Sequence, residues 1–135
     1  MMVRDDARGF ASHPGEEVHV TAESCLFCRI AAGEIPANVV RSEEDVVAFR
    51  DINPQAPLHV LVIPRRHIPS VPALEAADGA LVGRLFLVAR DIAREEGVEE
   101  AGYRLVVNVG PAAGQSVPHL HLHVLGGREL DWPPG

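Results

Sequence analysis

Short aliphatic runs separated by turn residues dominate the chain after its first two dozen positions. Val39-Val40-Arg41, Val46-Val47-Ala48-Phe49, His59 to Ile63, Tyr103 to Val109 and His119 to Leu125 are each rich in β-branched or aliphatic residues, the composition that fits a pleated strand. The first two flank the turn-like Ser42 to Asp45, and Pro64 closes the third. Two stretches have helical character instead. Phe27 to Ala32 is short and ends at Gly33; the longer one starts from an N-cap at Asp78 and carries Leu81, Leu85, Val88 and Ile92 on one face, with Gly97 as its stop. That stripe predicts a helix lying on a sheet. The order of elements predicts an α+β domain with a mainly antiparallel five-stranded sheet, one long helix and one short helix. Met1 to Ala22 is polar, holds Gly9, Pro14 and Gly15 and shows no period, so it reads as a flexible tail ahead of one domain from 23 to 135. His13 and His19 fall in that tail and read as solvated.

The last strand changes the picture. In His119-Leu120-His121-Leu122-His123-Val124 the imidazoles recur at every second position, and a strand sends alternate side chains to opposite faces. Three bases then share one face while Leu120, Leu122 and Val124 enter the core. Just before them, Gly110 to Pro118 is a loop of small residues containing Gly114-Gln115-Ser116-Val117, in which backbone N–H groups can approach an oxyanion. The pairing predicts a phosphoryl site. A neutral His121 can displace a leaving group from phosphorus without first losing a proton, giving a phospho-histidine that water hydrolyses. His123 beside it would donate a hydrogen bond and a proton, and Ser116 would help hold the charge that develops.

Composition narrows the alternatives. The 135 residues suit one domain. The net charge of −7 argues against a nucleic-acid binder, which needs a basic face to neutralise phosphates. All twelve basic residues are arginines, so no lysine intermediate is available and histidine is the nucleophile left. No carboxylate cluster suits Mg²⁺, no apolar run approaches a membrane span, and the charged, proline-containing N-terminus does not read as a secretory signal. A cytoplasmic protein is expected.

Cys25 and Cys28 form a CxxC pair, open among zinc, redox chemistry and chance; two residues apart, they cannot build a disulfide framework. His67 and His119 can complete a Cys2His2 shell, and this is the favoured reading. Four protein ligands leave no open position, so such a zinc would be structural. A redox role fits less well, because no strand-to-helix entry of a thioredoxin unit precedes the pair.

The motifs together resemble the histidine triad (HIT) superfamily. Gly114-Gln-Ser-Val and the triad itself match its signature, and Asp51-Ile-Asn-Pro-Gln-Ala-Pro-Leu-His59 through His67 looks like its second one. Tyr103 to Asn108 and the ending Gly126 to Trp132-Pro-Pro-Gly135 are similar to the HINT branch, the histidine triad nucleotide-binding proteins. The resemblance runs from about Glu23 to the last residue. It implies a HIT-like fold whose sheet continues across a homodimer, and a hydrolase or nucleotidyl transferase acting on purine nucleotides of the AMP or GMP type. Its substrates would be nucleoside phosphoramidates or mixed acyl adenylates. By the same resemblance His121 is the nucleophile, His59 and His123 orient it and handle protons, and Asn108, Gly114, Gln115, Ser116 and Val117 surround the phosphate. Asp51 would take both ribose hydroxyls, Phe27, Phe49 and Ile52 would line the base pocket, and Trp132 would reach the partner subunit's site. Bacterial relatives with CxxC resemble the zinc arrangement. The competing readings are a dinucleoside polyphosphate hydrolase of the fragile-histidine-triad kind and a non-catalytic nucleotide- or zinc-binding module. Ser116-Val117 and the Trp-Pro-Pro-Gly ending favour HINT, and His123, where uridylyltransferase relatives carry glutamine, disfavours transfer to a sugar phosphate. Arg50, usually histidine in vertebrate HINT proteins, and Pro118, often a bulky residue, depart from the pattern beside the site.

Overall fold

The computed structural model describes residues 24–135; the polar stretch Met1 to Ala22, with His13 and His19, lies outside the described residues. Five strands follow in chain order: β1 (Val39–Ser42), β2 (Val46–Arg50), β3 (Leu58–Pro64), β4 (Tyr103–Val106) and β5 (Leu122–Gly126). A short helix α1 (Leu26–Ala31) precedes them, and the long helix α2 (Gly79–Glu95) separates β3 from β4. The sheet order is β1-β2-β3-β5-β4, with every neighbouring pair antiparallel. This is the α+β architecture that the run lengths predict.

Two layers of side chains explain why β3 is buried along its whole length. On one face Val46, Ala48, Val60, Val62, Leu122 and Val124 pack against Leu85, Val88 and Ile92 of α2. On the other, Val47, Phe49, Leu61 and Ile63 meet Phe27 of α1, Cys25 and Val117. A strand covered on both sides reads as an unbroken apolar run. His59 breaks that run and shares the parity of Leu61 and Ile63, so it belongs to the α1 face. Arg65, just past β3, anchors α1 by donating to the Ala31 carbonyl at 2.8 Å, one of the carbonyls a helix end leaves open.

Two boundaries and one capping bond differ from the sequence expectation. β5 begins at Leu122, not His119. The His119 N–H donates to the Val117 carbonyl at 2.8 Å and the Leu120 N–H to the Ile68 carbonyl at 2.7 Å, and Pro118 has no N–H to give. These bonds turn the chain ahead of the sheet. Side-chain alternation survives the turn: Leu120 joins Leu122 and Val124 under α2, while His119 and His121 both contact Phe27 on the opposite face. β4 stops at Val106, and the chain then leaves toward the glycine loop. Asp78 does precede α2, but its carboxylate makes no bond to that helix. It accepts the Glu75 N–H at 2.8 Å, closing the 3-10 turn Ala76–Asp78, and pairs with Arg66.

No helix among the described residues is long and apolar enough to cross a membrane. Leu122, 1% exposed between β3 and α2, tests the packing. Leu122→Ala should cost about 2–5 kcal/mol, read from urea unfolding; a loss near zero would mean that this layer is not where the fold is held.

Candidate active site

Strand register brings the histidines together. β3 and β5 pair Leu61 with His123 and His59 with Leu125, so His59 and His123 are diagonal neighbours on one face. Their ring centroids are 5.2 Å apart, and the His121 ring sits 5.0 Å from His123 and 5.2 Å from Phe27. All three imidazoles are buried, with 5–6% exposure. Burial disfavours the charged form, and it outweighs the nearby Asp51 carboxylate, lowering His59 and His121 below the ordinary 6.5. His123 falls to about 3, through burial and then the neighbouring His121 and His59. At neutral pH each ring carries one N–H and one bare nitrogen.

Backbone groups decide which nitrogen is which. His121 Nδ1 lies 2.7 Å from the His119 carbonyl; a carbonyl only accepts, so Nδ1 holds the proton and Nε2 is the bare base. The Gln55 N–H donates to His59 Nδ1 at 3.0 Å, which puts the His59 proton on Nε2. That Nε2–H points at His123 Nδ1, 2.9 Å away, leaving the His123 proton on Nε2. His123 Nε2, the Ser116 Oγ and Asp51 Oδ2 are buried and have no hydrogen-bond partner among the described residues. Such groups are costly unless something meets them, and a ligand between the cavities can.

Two cavities meet at Asp51. One, about 580 Å³, is lined mainly by apolar groups including Leu26, Phe27, Ile30, Phe49, Ile52 and Leu61, with Asn38 at its edge. The other, about 210 Å³, is lined by Asp51, Asn53, Gln55, His59, Asn108 and His123. His121 lines neither directly; it is wedged between Phe27 of the first and His123 of the second. The Asp51 carboxylate is fixed by the Asn53 N–H on Oδ1 at 2.8 Å. Of the other expected residues, Ser116 and Val117 are buried, the latter against Phe27 and Phe49. Gly114 takes φ 86°, a left-handed conformation suited to glycine. Trp132 is 81% exposed and lines neither cavity.

The Gln115 side chain is hydrogen-bonded at both ends of its amide. Its Oε1 accepts from Ser70 Oγ at 2.8 Å and from the Gly110 N–H at 3.0 Å, and its Nε2 donates to the Pro69 and Val117 carbonyls at 2.8 and 3.1 Å. An amide has two donors and two acceptor positions. All four are used, so the side chain braces the loop. Asn38, Asn53 and Gln55 were not legible as site residues. Gln55 acts through its main chain, for which a sequence carries no signal.

The family model for the HIT domain matches residues 32–130. The chain belongs to the HIT family. It is similar to the crystal structure of a HIT family hydrolase from Legionella pneumophila Philadelphia 1, with 51% identity, a TM-score of 0.81, and coverage of 82% of this chain and 99% of that one. A Zn-bound histidine triad family protein from Mycobacterium smegmatis is 32% identical, with a TM-score of 0.69 over 83% of this chain and 81% of its own. A histidine triad nucleotide-binding protein from Candida albicans is 29% identical, with a TM-score of 0.71 over 82% and 83%.

Among its described residues this HIT domain holds two groupings with metal-ligand composition: Cys25, Cys28, His67 and His119, and Asp51, His59 and His123. Protonation separates them. His119 Nε2 donates to the Pro64 carbonyl at 2.8 Å, so its Nδ1 is bare. That one nitrogen lies 3.2 Å from Cys25 Sγ, 3.4 Å from Cys28 Sγ and 3.3 Å from His67 Nδ1, with Cys28 Sγ 3.3 Å from His67 Nδ1. A single lone pair cannot serve three hydrogen-bond partners, but four donors around a shared centre suit a tetrahedral cation. Burial, reinforced by Cys25, pushes the Cys28 thiol up to about 12, so a cation is what would hold it as thiolate. In the second grouping the Gln55 N–H occupies His59 Nδ1 and leaves a proton on Nε2, the atom a metal would need. It is a hydrogen-bond relay.

The buried neutral histidines make stability depend on pH. Unfolded, His59 and His123 take up protons near 6.5; folded, they resist, His123 down to about 3. The unfolded state binds more protons across that window, so stability is full above it and declines as pH falls through it. The thermal midpoint should therefore drop steadily below pH 6.5, and His123→Asn should flatten the slope. A midpoint that rises on acidification would contradict the burial of these rings in the neutral form.

Proposed function

We propose that the protein binds a purine nucleotide across the two cavities and cleaves the bond between its α-phosphorus and a leaving group through a nucleotidyl–His121 intermediate. One observation carries this reading: the 2.7 Å bond from His121 Nδ1 to the His119 carbonyl. It leaves an unprotonated Nε2 on a buried neutral ring, which is a nucleophile ready to attack. The 580 Å³ apolar cavity suits the flat base, the Asp51 carboxylate between the cavities suits the ribose hydroxyls, and His123 Nε2–H with the Ser116 hydroxyl suits the phosphoryl oxygens. His59 would hold His123 in register. The hydrolase name of the Legionella protein and the nucleotide-binding name of the Candida protein support the class. Within it, nucleoside phosphoramidates and mixed acyl adenylates are the substrates proposed. Attack forms the P–N bond to His121 and expels the amine or carboxylate; water then frees the nucleoside monophosphate.

Wild type should turn over a fluorogenic adenosine phosphoramidate, and His121→Ala should lose several orders of magnitude in kcat. Turnover unchanged in that variant would remove His121 as nucleophile. Preference for a dinucleoside polyphosphate would move the protein to the fragile-histidine-triad kind. Thermal protection by adenosine monophosphate without any turnover would make it a binding module.

The metal reading extends this. Cys25, Cys28, His67 and His119 would hold a structural zinc, as the Zn-bound Mycobacterium relative supports, and the ion would supply cross-linking with no open position for water. Purified protein should carry about one zinc per chain. Cys28→Ser should lose it, with a lower thermal midpoint and weaker adenosine monophosphate binding, because Phe27 lies between the two cysteines and lines the base cavity. Metal content under a tenth of an equivalent would defeat the assignment. The full proposal also has a cytoplasmic homodimer joined through edge strand β4, with the exposed Trp132 reaching the partner's site.

A further inference from the structure

We infer that Ser70 is a positioning residue: acting through Gln115, its hydroxyl sets the glycine loop and the seat of His121. This rests on the proposed nucleotidyl transfer to His121 and adds to it a residue outside the motifs that carry the chemistry.

Ser70 stands at the N-cap of the 3-10 turn Val71–Ala73, in extended backbone with φ −169° and ψ 175°, yet its side chain makes no capping bond. A serine there ordinarily accepts an N–H of the turn. Here Pro72 has no N–H to offer, and the Ala73 N–H goes to the Ser70 carbonyl at 3.0 Å. The hydroxyl reaches across the fold instead and donates to Gln115 Oε1 at 2.8 Å, 45 residues further along the chain. The orientation of that amide has one solution. The Gly110 N–H only donates, so the atom 3.0 Å from it is the oxygen. The Pro69 and Val117 carbonyls only accept, so the atom 2.8 and 3.1 Å from them is the nitrogen. Gln115 is 5% exposed, so water is poorly placed to replace a partner that is lost.

Ser70 is the last of four consecutive residues laid along the stretch 115–120, each making one contact with it. His67 Nδ1 lies 3.3 Å from His119 Nδ1, the Ile68 carbonyl accepts the Leu120 N–H at 2.7 Å, the Pro69 carbonyl takes Gln115 Nε2, and Ser70 takes Oε1. Held by this clamp, Gln115 joins both ends of the glycine loop, at the Gly110 N–H and the Val117 carbonyl. The Val117 carbonyl also accepts the His119 N–H at 2.8 Å, and the His119 carbonyl holds His121 Nδ1 at 2.7 Å. Each bond fixes the group that makes the next, from Ser70 to the ring proposed to attack phosphorus. Ser116, between Gln115 and Val117, moves with them. A misplacement of about 1 Å costs a reaction on the order of 10²-fold. The apolar cavity proposed for the base is lined by no member of this series. Loosening the series therefore slows the chemical step and leaves binding of the base alone.

Steady-state turnover of an adenosine phosphoramidate tests this. Ser70→Ala should lower kcat on the order of 10-fold, with KM and thermal protection by adenosine monophosphate near those of the wild type. Ser70→Thr keeps the hydroxyl and suits extended backbone, so it should restore most of the rate. An unchanged kcat in Ser70→Ala, an effect confined to KM, or a threonine variant as slow as the alanine one overturns the inference. So does a rate lost only because less protein is folded at the assay temperature, read by circular dichroism. Hydrogen exchange reads the clamp without turnover. The Gly110 N–H should exchange faster in Ser70→Ala than in the wild type, while the amides of β3 and β5 keep their protection; equal exchange at Gly110 overturns the inference. If the wild type turns over no nucleotide, the proposed transfer fails, and exchange at Gly110 still decides whether Ser70 holds the loop.

Discussion

Of the four buried imidazoles, His59, His119 and His121 each have one of two nitrogens committed to the main chain, and the chemistry of the domain follows from which one. The Pro64 carbonyl takes the His119 Nε2–H, the His119 carbonyl takes the His121 Nδ1–H, and the Gln55 N–H fills His59 Nδ1. Three residues of one type, on one sheet face, are thereby given three tasks: a bare Nδ1 toward the cysteines, a bare Nε2 beside the cavities, and a donor toward His123. Desolvation makes these assignments firm, because a buried ring that stays neutral cannot hold protons on both nitrogens. The same residue types in the relay beside Asp51 do not make a second metal centre, for the reason that its proton sits on the wrong atom.

The cysteine–histidine cluster and the larger, apolar cavity share a wall. Phe27 lies between Cys25 and Cys28, meets Phe49 edge-on at 5.3 Å, and contacts both His119 and His121. Helix α1 is too short to be stable alone, so its position depends on what clamps it: Arg65 at its C-terminal carbonyl and the cysteine–histidine cluster at its start. The proposed ion, doing no chemistry itself, would in this way set the shape of the proposed base cavity and the seat of His121. His119 links them further, since its ring faces the cluster while its carbonyl fixes the His121 tautomer.

Much of this was legible in the chain. Alternation placed His121 and His123 opposite Leu122 and Val124, and it held through the turn where hydrogen-bonded strand had not yet begun, because Leu120 still seeks the α2 layer. The two helices and all five strands follow from spacing and turn residues. The unreadable part is main-chain. Whether His119 begins a strand depends on the Ile68 carbonyl that Leu120 finds, far off in sequence. Asp78 was read as a helix cap because its side chain type suits one, yet the 3-10 turn before the helix offered it the Glu75 N–H first. Gln115 sits in a motif read as a phosphate ligand, and only the fold reveals Ser70 and Pro69 consuming its amide.

The donors gathered at the smaller cavity would let a chain of net charge −7 hold the proposed phosphoryl group without a basic patch. Arg50, whose position adjoins the base cavity, spends its guanidinium on Glu96 at 3.0 Å. The hydrogen-bond donors that line the smaller cavity, beside the Asp51 carboxylate, are neutral: the His123 Nε2–H and the Asn108 amide among them. Neutral donors bind a ground-state phosphate weakly, and they strengthen as charge builds on the oxygens during transfer. Cations would hold the product monophosphate as firmly as the transition state. A site of buried neutral donors is therefore suited to turnover, whereas a store for nucleotides would be built with arginine, of which this chain has twelve.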